Sequence, residues 1–261
     1  MNTDLTGKRA LVCGSSQGIG RASAVELALL GASVTLVARN EERLKDAITK
    51  LPADDTESHH YIVADFNNPE DLQYKIETYI KDHPIDILIN NTGGPPAGQA
   101  IDAAPEDYLK AFSNHLICNQ ILTKAVVPDM KKNGWGRIIN IISTSVKTPL
   151  HNLGVSNTIR AAVASWAKTL SFELAPFGIT INNVLPGFTM TGRLESLIQT
   201  RSQKENKSFE RIKVEMTEEI PAGRIGEAHE VAAAVAFLAT PAAAYINGIN
   251  LPVDGGRTPS L

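Results

Sequence analysis

Apolar segments alternate with longer amphipathic segments along the chain. Two of the apolar segments are nearly continuous, Ile85-Asp86-Ile87-Leu88-Ile89 and Ile138-Ile139-Asn140-Ile141-Ile142. Such runs are typical of strands that are covered on both faces, as in a parallel sheet. The pattern predicts seven strands, over Arg9–Cys13, Ser33–Ala38, His60–Ala64, Ile85–Asn90, Arg137–Ile142, Ile179–Val184 and Ile249–Val253.

Helical periodicity lies between these strands. Two of the helical segments begin with Pro-Glu-Asp, at Pro69 and Pro105, and proline followed by acidic residues favours a helix N-terminus. Regular alternation of strand and helix predicts an α/β fold, a single doubly wound Rossmann-type domain over residues 1–261 with right-handed crossovers. The helices are expected near residues 18–30, 41–51, 69–82, 105–132, 153–175 and 227–239.

Residues 193–219 depart from this alternation. The segment is highly charged, has helical propensity, and lies between two predicted strands. A solvated helical excursion is one interpretation. Long insertions near the carboxyl ends of strands also commonly cover a site, so the segment is predicted to be a substrate lid.

Composition and charge narrow the classes of function. The 261 residues carry a formal net charge of −3, so the chain lacks the basic footprint of a nucleic-acid-binding protein. Its two cysteines cannot form a disulfide framework. The start shows no signal peptide, and no apolar stretch approaches transmembrane length. We expect a cytoplasmic protein that acts on a small molecule, without a nucleic-acid partner, membrane partner or metal ion.

A glycine-rich turn joins the first strand to the first helix. Glycines permit a tight turn and a close approach of the main chain to a pyrophosphate, whose charge then meets the helix N-terminus. A plain strand–helix connection is the alternative, but the position between strand and helix favours a dinucleotide site. The contacts predicted here are Gly14, Ser15, Ser16, Gly18, Ile19 and Gly20.

The end of the second strand indicates which dinucleotide binds. NAD sites usually place a carboxylate here for the ribose 2′-hydroxyl, whereas this chain has Ala38 followed by Arg39. Arginine suits a 2′-phosphate because its planar fork forms charge-assisted, bidentate contacts. We therefore predict NADP (NADPH) as the cofactor, with NAD the alternative. Asp65, after the third strand, is a candidate acceptor for the adenine amino group, or else a loop cap.

Motifs along nearly the whole chain resemble the short-chain dehydrogenase/reductase family, most closely its 3-oxoacyl-acyl-carrier-protein reductase branch. They are Gly14-x-x-x-Gly18-Ile19-Gly20, Asn90-Asn91-Thr92-Gly93, Gly136-Arg137-Ile138-Ile139-Asn140, Asn183-x-x-Pro186-Gly187 with Thr191, and Pro252-Val253-Asp254-Gly255-Gly256. The resemblance implies the strand order 3-2-1-4-5-6-7, a homotetramer or homodimer, and an oxidoreductase acting on a carbonyl or alcohol. The further cofactor contacts that it implies are Asn91, Gly93, Pro186, Gly187, Phe188 and Thr191.

The catalytic segment departs from the family pattern of a serine followed by Tyr-x-x-x-Lys. Counting places Ser143 at the serine, but Ser156 and Arg160 at the tyrosine and lysine positions. No tyrosine lies between Tyr108 and Tyr245, so a shifted register cannot restore the pair. A serine hydroxyl is a far weaker acid than a phenol, and an arginine stays charged and cannot relay protons.

Two functions remain open on the sequence. In the first, an NADP(H)-dependent oxidoreductase, Ser143 orients the carbonyl, Arg160 holds the cofactor ribose, and Ser156 with water shuttles the proton. In the second, a catalytically weak or inactive dinucleotide-binding protein, the chain is a sensor or an oligomer partner. The alternative proton donors for the first function are Lys147, His115 and His151.

Overall fold

The structure of the protein, a computed structural model, describes residues 1–52 and 58–260. Seven strands form one parallel sheet in the order β3-β2-β1-β4-β5-β6-β7, which confirms the order that the resemblance implied. The seven predicted strands are all present, with ends that differ by no more than a few residues. Their bounds are β1 Arg9–Cys13, β2 Ser33–Ala38, β3 His60–Val63, β4 Ile87–Asn90, β5 Gly136–Ile141, β6 Ile179–Pro186 and β7 Asn250–Val253.

Helices cover both faces of the sheet. A π-helical turn, Ser113–Ile117, joins α4 to α5, so the segment predicted as one helix is continuous but contains a widened turn. Within the described residues, no helix is long and apolar enough to cross a membrane. The bounds are α1 Gly18–Leu29, α2 Glu41–Ile48, α3 Pro69–Tyr79, α4 Pro105–Phe112, α5 Cys118–Asn133, α6 Gly154–Leu174, α7 Gly192–Glu205, α8 Phe209–Glu218 and α9 Ala228–Ala239.

The continuous apolar runs of the strands are explained by the two helical layers. Val12 and Ile89 belong to the core beneath α1, α2 and α9, whereas Leu11 and Leu88 belong to the core beneath α3, α5 and α6. Because successive strand residues point to opposite faces, each run supplies both cores. Full burial of one such side chain contributes about 1.5–3 kcal/mol as an upper estimate.

The predicted lid has a small core of its own. Its two helices, α7 and α8, bury Leu194 and Ile198 against Ile212 and Met216, apart from the two cores of the sheet. At its base, the two-residue strand Thr189–Met190 pairs in parallel with Gly226–Glu227. The segment is therefore an ordered helical hairpin attached at both ends to the main domain.

Asparagine amides form a hydrogen-bonded chain across four strands. Asn90 donates to Asn140 at 2.9 Å, Asn140 donates to Asn183 at 2.9 Å, and Asn183 donates to Asn250 at 2.8 Å. These residues are direct partners in the strand registers. Because an unpaired amide in the core costs free energy, the chain disfavours a slip of any of the four strands.

Replacement of Asn140 by alanine tests this amide chain. It should lower the free energy of unfolding by about 2–4 kcal/mol, because it removes two hydrogen bonds and strands the amides of Asn90 and Asn183. Urea denaturation measures the change. The control Asn133→Ala, at the exposed end of α5, should change stability by no more than about 0.5 kcal/mol. Similar losses in the two variants would contradict the stabilising role of the amide chain.

Candidate functional site

A cleft of about 900 Å³ lies at the carboxyl ends of the strands, where open α/β sheets bind ligands. It brings together cofactor and catalytic candidates that are far apart in the sequence. The predicted residues that line it are Gly14, Ser16, Gly18, Ile19, Arg39, Asp65, Asn91, Gly93, Ser143, Ser156, Arg160, Pro186, Gly187, Phe188 and Thr191.

The turn after β1 leaves no room for side chains. Gly14 has a φ of +59°, and a Cβ there would lie 2.7 Å from the Asn91 amide nitrogen. A Cβ on Gly20 would collide with the carbonyl oxygen of Gly14. The Asn91 amide holds the turn by donating to the carbonyls of Cys13 at 3.2 Å and Gly14 at 3.3 Å. This cradle fits a dinucleotide pyrophosphate, because its main chain and the N-terminus of α1 are open to the cleft.

Two of the predicted contacts lie behind this turn. Ser15 is fully buried, and its hydroxyl accepts a hydrogen bond from the Val37 backbone N–H at 3.0 Å. Gly20 packs against Gly14 and the Asn91 amide. Neither is among the described residues that line the cleft, so the structure places both where they shape the turn.

Two arginines line the cleft beyond β2. Arg39 follows the strand, and Arg43 extends from the first turn of α2 and donates to Gln17 Oε1 at 3.1 Å. Across residues 1–52 and 58–260, neither guanidinium pairs with a carboxylate. Two cations beside Ala38, where an NAD site has an acid, fit the 2′-phosphate of NADP. The sequence motif indicated Arg39 alone. Arg43, in the first turn of the next helix, was missed, although its position after Arg39 could have indicated a second cation at the same site.

Asp65 caps a loop and also lines the cleft. One carboxylate oxygen caps the loop after β3 by accepting from the Asn67 backbone N–H at 2.9 Å and from the Asn67 amide at 2.8 Å. The carboxylate also lines the cleft. The loop-capping role is therefore realised, and it leaves the group at the position where an adenine contact was expected.

The three catalytic candidates lie together in the cleft. The Ser143 hydroxyl accepts from the Ser145 backbone N–H at 3.1 Å, which leaves its own proton available for a ligand. Ser156 and Arg160 are four residues apart on α6 and share one face, about 6 Å apart along the helix axis. The cleft therefore holds two hydroxyl groups and a guanidinium in the segment from Ser143 to Arg160.

The Arg160 guanidinium is held inside the protein. The residue is only 8% exposed, and its Nη1 donates to the Ile141 carbonyl at 3.0 Å. Its Nε has no hydrogen-bond partner in the described part of the chain. Burial, followed by the charge of Arg193, lowers the pKa of Arg160 to about 10, so the group stays protonated near neutral pH. Its Nη2 lies beside Gly94 in the lining of the cleft, so this donor fits a polar ligand such as the hydroxyls of a cofactor ribose.

His115 is buried by the π-helical turn between α4 and α5. Burial, with the charge of Arg160 as a second cause, lowers its pKa to about 2, although a hydrogen bond to the Gly93 backbone opposes the shift. The imidazole is therefore neutral near pH 7 and cannot donate a proton as an imidazolium. The amide of Asn114, the residue before His115, donates to Asn67 Oδ1 at 3.0 Å.

The other two candidate acids lie on the loop between β5 and α6. Lys147 follows the 3₁₀ turn Thr144–Val146, and His151 is exposed. Both are outside the set of described residues that line the cleft. The Asn157 amide fixes the loop by accepting from the Leu150 N–H at 3.3 Å and donating to its carbonyl at 2.8 Å. Of the candidates for proton transfer, Ser156 therefore lines the cleft, whereas Lys147 and His151 do not.

The start of α7 closes one side of the cleft. Thr191 caps the helix by accepting from the Leu194 N–H at 3.4 Å, and a Cβ on Gly18 would lie 3.4 Å from the Thr191 methyl group. Arg193 Nη2 donates to the Pro95 carbonyl at 2.6 Å. The helical hairpin is thus anchored near both the glycine-rich turn and the loop after β4.

The chain is similar to known reductases over almost its whole length. A family model described as enoyl-(acyl carrier protein) reductase matches residues 14–258. The NADPH-dependent reductase BacG of Bacillus subtilis is 31% identical, over 97% of this chain and 99% of its own length. The 3-oxoacyl-[acyl-carrier-protein] reductase FabG of Haemophilus influenzae is 38% identical, over 97% and 98% of the two chains.

Solved structures show the same architecture. The L-sorbose reductase of Gluconobacter frateurii, crystallised with NADPH and L-sorbose, superposes with a TM-score of 0.93 and 28% identity, over 100% of both chains.

The buried His115 should make stability depend on pH. An unfolded histidine titrates near pH 6.5, whereas the folded pKa is about 2, so the unfolded state alone gains a proton between them. Stability is therefore complete above about pH 6.5 and falls by about 1.4 kcal/mol per unit below it. His115→Gln should reduce this slope between about pH 6.5 and 5 by about 1.4 kcal/mol per unit in urea denaturation. A smaller slope should remain, because burial also lowers the pKa of the partly buried His60. The control His151→Gln should keep the wild-type slope, and an undiminished slope in His115→Gln would contradict burial of a neutral imidazole.

Proposed function

The chain belongs to the short-chain dehydrogenase/reductase family, and from this premise we propose that it is an NADPH-dependent reductase of carbonyl compounds, similar to the 3-oxoacyl-acyl-carrier-protein reductases. The proposal is carried by one observation, that a dinucleotide cradle, two arginines suited to a 2′-phosphate and the Ser143–Arg160 segment open into one cleft. The names of the relatives, NADPH-dependent reductase and 3-oxoacyl reductase, agree with this arrangement.

The proposed cofactor contacts follow the shape of the cleft. The turn from Gly14 to Gly20 and the N-terminus of α1 receive the pyrophosphate, and Arg39 with Arg43 receives the 2′-phosphate. Asn91 keeps the turn in shape, and Gly93 leaves space beside it for the ribose. The remaining contacts are assigned to Pro186, Gly187, Phe188 and Thr191.

Bound in this cleft, NADPH would supply the hydride, and the protein side chains would orient the substrate oxygen and provide its proton. Ser143 donates a hydrogen bond to the carbonyl, which orients it. The buried positive charge of Arg160 stabilises the negative charge that develops on this oxygen, because a fixed charge acts strongly where water is excluded. Arg160 also donates to the ribose. Ser156, with solvent, delivers the proton that the family's tyrosine provides.

The helical hairpin is proposed to be a lid over the substrate, since Arg193 and Leu194 at its start line the cleft. We further propose a cytoplasmic homo-oligomer, either a dimer or a tetramer. Large apolar side chains that remain exposed on α4, the π-helical turn and α6 support this assembly, namely Leu109, Phe112, Ile117 and Phe172.

Ser143→Ala tests the proposed reaction. It should lower kcat/KM for NADPH-dependent reduction of 3-oxoesters and ketones about 100-fold, because one hydrogen bond to the developing oxyanion is lost. Absorbance of NADPH at saturating cofactor measures the rate. Ser165→Ala, an exposed serine on α6, is the control and should keep the wild-type rate.

The double change Ser156→Tyr with Arg160→Lys distinguishes the proposed reductase from a binding protein without catalysis. If the protein binds NADPH but reduces no carbonyl compound, and Ser156→Tyr with Arg160→Lys creates a reductase, the native site is a binding site without catalysis. If that double change abolishes a native activity, the serine–arginine site has a chemistry of its own.

Arg43→Gln tests cofactor selection. The ratio of kcat/KM with NADPH to kcat/KM with NADH should fall about tenfold, because a charge-assisted contact to the 2′-phosphate is lost. Steady-state kinetics with both cofactors give the ratio. Lys45→Gln, on the same helix but outside the described lining of the cleft, should leave the ratio unchanged. An unaltered ratio in Arg43→Gln would assign the 2′-phosphate to Arg39 alone.

A further inference from the structure

Two guanidinium groups converge on Gly94, in the loop that follows β4. A Cβ placed on Gly94 would lie 3.6 Å from Arg160 Nη2 and 3.6 Å from Arg193 Nη2. Arg160 lies in the second turn of α6, and Arg193 lies at the start of the helical hairpin. Both line the cleft, so the convergence faces the space that a ligand would occupy.

No protein carboxylate neutralises this pair within residues 1–52 and 58–260. Three acids in the described part of the chain line the cleft. Asp65 binds Asn67, Asp107 accepts from the Ala104 N–H at 3.2 Å, and Asp102 forms no ion pair with either arginine in the described residues.

Burial, followed by the charge of Arg193, lowers the pKa of Arg160, and the second cause is the repulsion expected between two nearby cations. Arg193 is exposed, whereas Arg160 is a buried charge, and buried charges are normally paired. Arg160 therefore lacks the anionic partner that a buried cation usually has.

Arg160 supplies a second and independent observation. The side chain is more than nine-tenths buried, and its Nε lacks a hydrogen-bond partner in the described part of the chain. Its Nη1 is fixed by the Ile141 carbonyl, so the guanidinium plane is held in one orientation. Because Nε is closed off from solvent, the donor that remains for a ligand is Nη2, which lies 3.6 Å from the position of a Cβ on Gly94 and has no hydrogen-bond partner in the described residues. A guanidinium held in this way suits a carboxylate.

We propose that Arg160 and Arg193 form an anion subsite and that the physiological substrate is a 2-oxo or 3-oxo acid. This substrate class rests on the proposed reductase function. The carboxylate binds between the two guanidiniums, and the carbonyl lies at Ser143 and Ser156. Hydride from NADPH reduces the carbonyl carbon, a proton reaches the oxygen to give the hydroxy acid, and the carboxylate is unchanged.

The spacing along α6 limits the distance between the two substrate groups. Ser156 and Arg160 are one helical turn apart, about 6 Å along the axis, and the arginine side chain spans part of that distance. A carboxylate and a carbonyl separated by at most one carbon can reach both residues at once. A 2-oxo or 3-oxo acid has this separation.

The cofactor phosphates have other places in the same cleft. The glycine-rich turn and the N-terminus of α1 suit the pyrophosphate, and Arg39 with Arg43 suits the 2′-phosphate. A ribose hydroxyl at Arg160 is neutral and leaves the repulsion between the two arginines uncompensated. The loop that contains Gly94 continues to Gly98, and Gly98 forms a parallel bridge with Leu153, within the segment from Ser143 to Arg160. The pair therefore faces the substrate.

Kinetics with matched acids and esters test the subsite. The wild type should reduce 2-oxobutanoate or acetoacetate with a kcat/KM at least tenfold above that of the corresponding methyl ester. Arg193→Gln should lower this acid-to-ester ratio about tenfold, the size expected for a lost charge-assisted hydrogen bond. The control Arg211→Gln, an exposed arginine on α8 that pairs with Glu215, should keep the ratio. Equal rates for acids and esters in the wild type would overturn the proposal.

Equilibrium binding separates this proposal from the reductase function. Oxamate, a carboxylate that cannot be reduced as a ketone, should bind to the NADP⁺-loaded protein in calorimetry, and Arg193→Gln should weaken that binding about tenfold. Oxamate binding without turnover of any carbonyl compound would refute the reductase while supporting the anion subsite. If Arg193→Gln weakens NADPH binding instead of oxamate binding, the charge serves a cofactor phosphate and the proposal fails. Turnover of neutral ketones without oxamate binding would also overturn it.

Discussion

Four asparagine amides, joined across β4, β5, β6 and β7, hold these strands in one register. The functional loops begin within a few residues of those amides. Asn91 follows Asn90, Ser143 follows β5, and Pro186 ends β6. A slip of one strand would turn its asparagine out of the amide chain and displace its loop from the cleft. The positions of the catalytic and cofactor candidates therefore depend on this buried polar contact, although none of the four amides is assigned a chemical role.

The site keeps one part of the family's design and alters another. The dinucleotide cradle is intact, because Gly14 and Gly20 leave no space for a Cβ and the Asn91 amide binds the turn from behind. We propose that the proton relay is altered, because Ser156 and Arg160 stand where the resemblance to the family motif places a phenol and an ammonium. A guanidinium is a stronger anion binder and a poorer proton carrier than an ammonium. On this proposal the segment is suited to electrostatic binding more than to acid catalysis.

The sequence predicted the parts of this protein that depend on local pattern. Apolar runs and glycine spacing sufficed for the strands and for the turn at Gly14, since these depend on neighbouring residues. The convergence of Arg160 and Arg193 on Gly94 could not be predicted, because α6, α7 and the loop after β4 meet there only after the sheet is assembled. Ser15 illustrates the same limit: its motif position is that of a ligand contact, yet its side chain turns back to Val37. Side-chain direction at a tight turn is a tertiary property.

The π-helical turn at Ser113–Ile117 changes the directions in which side chains point on either side of it within a long helix. A turn of this kind accommodates one residue more than an α-helical turn, which rotates everything beyond it by about 100° relative to the residues before it. Asn114 can therefore face the loop after β3 while His115 faces the Gly93 backbone. Loss of a single residue from this turn would restore a regular helix and change which face of α4 meets the cleft. The number of residues in this turn therefore determines which side chain borders the site.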